Sequence, residues 1–263
     1  VCEAPRPPRL LVGASPELRQ ILTRSFELDV AKQPLEPAQA DALVASVQAE
    51  PCAGSLAHLV ALSARQTTGA RARDLDEADR LARRCGDDWL IADVAVSRAA
   101  DARDSNPSLT TEVTAKIKHA EALAEPVMQP DLQAELLLLR GRVAERMNDL
   151  DTAMVLTAEA SKAYDARGRV RAYTINELHL LELREMRANP DDLAGIPKRI
   201  GELRELAVKR LGENDDAGHA VDRALGVYEW KMGEVAAAHA KLAASRSSLP
   251  VENPTHISGK VVD

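Results

Sequence analysis

Aromatic residues are nearly missing from this chain of 263: one Phe, two Trp and three Tyr make up 2 % of it. Sheet cores draw on aromatic and β-branched side chains in alternating runs. No such run dominates before the last few residues, so strands are not expected to build the core. Cysteine is scarce too. Cys2, Cys52 and Cys85 have no CxxC spacing and no clustered histidines beside them, which argues against a structural zinc site. No run of about 18 uncharged apolar residues occurs, so no segment reads as a membrane-spanning helix. Nor is positive charge in excess. With 34 basic against 41 acidic side chains the net charge is −7. Nucleic-acid binding needs a positive stripe that releases counterions, and none is visible, so nucleic acid is not an expected partner.

What the chain does have is apolar periodicity. Its 45 % hydrophobic residues, mostly Ala and Leu, suffice for a continuous core in one large or two small domains. Ala lets helices approach closely, and an all-α fold follows. The clearest stretch runs from Leu132 to Gly168, LQAELLLLRGRVAERMNDLDTAMVLTAEASKAYDARG. Leu132, Leu136, Leu139, Val143 and Met147 recur at steps of three and four, one stripe of a 3.6-residue helix, and Ala153, Leu156, Ala160 and Ala163 repeat the pattern beyond the turn. Two small residues, Gly141 and Ala153, stand twelve residues apart around MNDLDTA. Gly226 and Ala238 flank the turn WKMGEVAAA with the same spacing.

These two stretches resemble tetratricopeptide (TPR) repeats, with Arg140 and Thr157 departing from the family pattern. The resemblance implies an α-solenoid of TPR-like helical hairpins whose stacked pairs form an extended concave surface for a protein or peptide. Residues 1–12 are rich in Pro and Arg and read as a linker, 13–70 as an N-terminal helical region, and 71–247 as the solenoid. Ser15 with Pro16, Pro37 and Ser55 are expected to open the first three helices. Later pairs are expected over Asp87–Arg103 with Leu109–Leu123, Asp131–Arg167, Val170–Arg187 with Ile196–Leu211, and Asp216–Ser245. RANPDDLAG reads as an inserted loop. In 248–263 the periodicity stops, and ISGKVVD alternates like a strand and is similar to the opening of carboxypeptidase regulatory-like β-sandwich domains, so the protein is expected to continue past Asp263.

Catalytic patterns are missing. There is no HExxH, no G-x-S-x-G elbow, no Walker lysine and no dinucleotide fingerprint, and His58, His119, His179, His219, His239 and His256 form no metal spacing. No cofactor, metal site or catalytic residue is expected, and the chain reads as a non-enzyme. His179 in LHLLEL reads as a hydrogen-bonded histidine between helices. In TPR grooves polar residues of each first helix grip the partner. By that resemblance Arg140 with its near neighbours Glu135, Arg142 and Arg146, and Asn176 on the following first helix, are the candidate partner contacts, and the arginines suit an acidic or carboxylate-ended peptide. The alternative for these arginines is a solvated charged face. Trp89 and Trp230 are either groove anchors or buried between helices.

A Cys-containing linker, a helical region opening with RLLVGASPELRQILTRSFE and degenerate TPR pairs are together similar to the extracytoplasmic parts of membrane-anchored, myxobacterial-type Ser/Thr kinases and related signalling proteins. No kinase motif is present. The resemblance implies an extracytoplasmic setting, the alternative being cytoplasmic, and with it a disulfide between Cys2 and Cys52 that leaves Cys85 a thiol. The competing reading of the cysteines is three thiols, with Cys85 in a helix. The function expected is a non-catalytic interaction scaffold within a larger envelope or signalling protein. The alternative is a sensor whose helices close over a small ligand and gate an attached domain.

Overall fold

The computed structural model describes Pro16 and residues 35–246, except 48–49, 106–107, 109, 128, 188–192, 194 and 214. The expected linker 1–12, Cys2, nearly all of the helix expected from Ser15, and the expected strand ISGKVVD lie outside the described residues. Among the described residues the protein is all-α, with eleven α-helices, one short 3-10 turn and no strand. They divide into two compact units between Leu193 and Ala194, in the loop RANPDDLAG that the sequence marks as inserted.

The first unit holds α1 (Pro37–Ser46), α2 (Pro51–Ala61), the 3-10 turn Leu62–Ala64, α3 (Thr68–Cys85), α4 (Asp88–Ser105), α5 (Thr110–Ala124), α6 (Pro130–Arg146), α7 (Leu150–Ala166) and α8 (Val170–Arg187). The second holds α9 (Ile196–Leu211), α10 (Asp216–Lys231) and α11 (Val235–Arg246). The boundary expected at residue 70 falls inside α3. Prolines begin α1, α2 and α6, where a missing N–H costs no helical bond. Side chains cap other starts: Thr67 accepts from the Ala70 N–H, Asp149 from Thr152 and Asp215 from Ala217. The sequence places the start of α2 at Ser55, and the structure corrects it. Glu50 accepts from the Cys52 and Ala53 amides, while Ser55 is buried inside the helix and donates to the Ala78 carbonyl at 2.9 Å.

One turn recurs three times. After α6, α7 and α10 the chain passes through a left-handed residue, Asn148, Gly168 and Gly233 respectively. The next amide then reaches back to close the helix end: Asp149 N–H to Ala144, Arg169 to Tyr164 and Glu234 to Glu229, each 2.9 Å. Such an early stop also corrects one expected core residue. Met147 follows the last residue of α6 and is 68 % exposed, whereas Leu132, Leu136, Leu139 and Val143 of the same stripe are buried.

Each helix of the first unit packs on its chain neighbours, and alternate helices also meet: α2 touches α4, and α4 touches α6. Separate apolar clusters span the steps between neighbouring helices. Ala92, Val96 and Ala99 of α4 pack with Val113, Ile117 and Ala120 of α5 and with Leu132, Leu136 and Leu139 of α6. Ala144, Ala153 and Leu183 then join α6, α7 and α8. In the second unit α9 packs on α10 and α10 on α11, around Leu203, Ala207, Val221 and Ala238.

Two glycines stand at close crossings. A Cβ on Gly141 would stand 3.1 Å from Thr157 Oγ1 and 3.4 Å from the Ala153 carbonyl oxygen. On Gly226 it would stand 3.0 Å from Leu242 Cγ and, again, 3.4 Å from the Ala238 carbonyl oxygen. Gly141→Leu is therefore expected to overpack the α6–α7 crossing and to cost about 1–3 kcal/mol. An unmoved urea midpoint in that variant would show that the crossing can open freely.

Candidate functional site

Of the alternate helices in the first unit, α2 touches α4 and α4 touches α6, while α6 meets α8 through Arg142 and His179; the side chains along this row are the candidate site. The three arginines expected to act together are not brought together. Successive helical residues are turned by about 100°, which sets Arg140 nearly opposite Arg142 and leaves Arg142 and Arg146 on one stripe. Arg140 reaches across to Glu121 of α5 at 3.5 Å, away from the row. Arg146 donates to the Arg103 carbonyl at the end of α4, 2.7 Å away. Arg142 stands between Glu145 at 3.2 Å and His179 of α8 at 2.9 Å. The expected single basic patch is thus two arginines on the row and one off it, each with a partner.

Asn176 is likewise corrected. It is 3 % exposed, because α8 is buried on most of its circumference, and it offers no surface to a partner. Trp230 is 62 % exposed and lies with Val227 and Met232, also exposed, at the end of α10. Trp89 is half-buried against the apolar core instead.

Acidic groups line the same row: Glu135, a candidate contact from the sequence, together with Asp93 and Asp131, which are not among the candidates. Asp131 of α6 is held by Arg167 at 2.9 Å and Arg169 at 3.5 Å, and Glu135 accepts from the Tyr164 hydroxyl at 2.5 Å. Burial, reinforced by Glu135 and Asp131, pushes the Asp93 carboxyl of α4 up to about 7. Burial also raises the Tyr164 phenol, with Glu135 adding to it. The signal was available: Asp93, Asp131 and Glu135 fall on the α4 and α6 faces that meet once α4 and α6 are neighbours. The neighbour relation itself is not in the sequence.

His179 of the same row is 3 % exposed. Its Nδ1 lies 2.9 Å from Arg142 and 3.2 Å from Glu182, and its Nε2 lies 3.2 Å from Glu145. Burial opposes its positive form, but Glu145 and Glu182 outweigh burial and Arg142, and the imidazole is raised above its ordinary value. Glu145, partly buried, is held below the usual carboxylate range by His179 and Arg142.

A cleft of about 270 Å³ lies among α3, α4 and α5, beside Asp76, Arg98, Asp101 and Lys116. It is open and polar, and its charges are paired within the protein: Arg98 with Asp76 at 2.9 Å, Arg71 with Asp101 at 2.5 Å and Lys116 with Glu112 at 3.2 Å. No protein-family model, curated protein or solved structure matches the chain. Among the described residues no group of three or more His, Cys, Asp or Glu is placed to hold a metal ion, and no helix is long and apolar enough to cross a membrane.

The cysteine expectation is overturned. Cys52 is bonded to Cys85, with Cα atoms 5.1 Å apart, and not to Cys2, which lies outside the described residues. Cys52 stands at the start of α2 and Cys85 at the end of α3. Antiparallel helices bring those ends together, so the bond closes the open end of one hairpin.

Proposed function

We propose that the chain is a non-catalytic scaffold, an α-solenoid of TPR-like hairpins whose row α2, α4, α6 and α8 forms the face that receives a protein or peptide segment. The observation that carries this is the contact of alternate helices along that row, α2 with α4 and α4 with α6. Hairpins stacked with one helix row drawn closer curve towards it, and the inner row becomes the extended binding surface. The turn repeated after α6, α7 and α10 and the glycine crossings at Gly141 and Gly226 support a repeated unit. The Cys52–Cys85 bond supports an oxidising, extracytoplasmic setting.

Arg142 and Arg146 are the contacts for a carboxylate-bearing segment, and the exposed Trp230 is a separate apolar anchor. A peptide library rich in Asp, Glu and free C-termini, panned on the purified protein, tests the reading. Binding is expected to weaken with added salt, to fall about tenfold or more in the Arg142→Ala, Arg146→Ala double variant, and to be unchanged in Arg140→Ala. Binders equally affected by Arg140→Ala, or indifferent to salt and to all three arginines, would remove the row from this role.

A further inference from the structure

Two of the hydrogen bonds around His179 cannot coexist. Arg142 can only donate, so its contact at 2.9 Å requires a bare lone pair on Nδ1, with the ring proton on Nε2 facing Glu145. Glu182, 3.2 Å from the same Nδ1, can only accept while ionised, and so requires a proton there. The neutral ring serves Arg142 and the doubly protonated ring serves Glu182, while in either state Nε2 faces Glu145 at ion-pair distance without a hydrogen bond to it. Arg142 and Glu145 belong to α6 and Glu182 to α8. These three are the charged groups that meet the imidazole from its own helix and from α6, and no charged group of α7 is among its partners. The position matters, because α6 and α8 approach each other less closely than α4 and α6 do, so side chains bridge that step of the row.

We infer that His179 is a proton-operated latch on the α6–α8 step: without the second proton it holds Arg142, and on taking a proton from solvent at Nδ1 it turns to Glu182 and leaves Arg142 held by Glu145 alone, freer to meet a segment on the inner face. Arg142 is one of the two arginines assigned above to an acidic segment, so the latch rests on that reading and makes the site acid-favoured. The raised imidazole puts the exchange at or above the ordinary histidine range. Its contribution to stability is fully present below about pH 6.5 and is lost as pH rises through the folded midpoint. Asp93, raised from the ordinary carboxylate range to about 7, makes stability fall with rising pH over a lower but overlapping window. An unfolding curve alone therefore does not assign the latch.

The test is a titration of the His179 ring by two-dimensional NMR on the free, folded protein, with no partner added. Both variant positions keep solvent contact, Arg142 at 32 % and Glu182 at 64 % side-chain exposure, so neither should unfold the chain. Arg142→Ala is expected to move the His179 midpoint up and Glu182→Gln to move it down, each by about half a pH unit or more. In the wild type, the Arg142 guanidinium resonances should shift with the same midpoint as the ring. Midpoints unmoved in both variants, or a ring that keeps one protonation state from pH 5.5 to 8.5, would overturn the latch and leave the peptide-binding test untouched. Peptide binding that fails while the ring titrates as described would overturn the scaffold reading instead.

Discussion

Asp74→Ala is expected to lower the free energy of unfolding by about 3–5 kcal/mol, seen as a fall in the urea midpoint at unchanged slope. Asp74 of α3 joins three segments that follow one another in the chain. Its carboxylate faces His58 of α2 at 2.7 Å and Arg65, just past the 3-10 turn, at 2.5 Å. All three side chains are 15 % exposed or less. Removing the carboxylate leaves a largely enclosed guanidinium facing only Asp41, which is itself 69 % exposed and well solvated. The cost comes from that uncompensated charge more than from the lost contact. Asp41→Ala is the control, since an exposed partner contributes about 0–1 kcal/mol. Equal losses in the two variants would show that the network is a surface one.

Reduction of the disulfide has the next largest expected effect. The bond closes a stretch with a sequence separation of 33 residues, and removing it is expected to cost about 2–4 kcal/mol by freeing the unfolded chain. Of the three cysteines, unreduced denatured protein should show one reactive thiol, Cys2, and peptide mapping should join the fragments holding Cys52 and Cys85. Cys85→Ser should reproduce the loss. Three thiols in that assay, or a Cys2–Cys52 fragment pair, would contradict the pairing described.

The helices themselves were the legible part. α8 and α9 begin and end at the residues expected, because apolar periodicity ends at Gly, Pro or Arg-rich turns. Ser55 misled because serine is a favoured cap in isolation, whereas here Pro51 behind Glu50 starts the helix and frees the hydroxyl to reach another chain segment. The cysteine pairing was hidden for a related reason. Which helix ends lie side by side is a property of the hairpin, and no local pattern around Cys52 or Cys85 states it. The split of Arg140 from Arg142 and Arg146 is different, since the helical angle alone separates them and the sequence could have shown it. What it could not show is the partner each finds: Glu121, His179 and the Arg103 carbonyl come from three other helices.

The turn shared by Asn148, Gly168 and Gly233 bears on how the chain acquires its structure. Each closes a helix end with bonds spanning only a few residues, and the hairpins it joins meet over short sequence distances. Order of that kind is local, so a hairpin can form before the rest of the chain is in place, and its neighbours can zip onto it from either side. Within the first unit, growth would then leave the lone outermost face of a half-built stack as the surface most prone to sticking, until the next helix covers it.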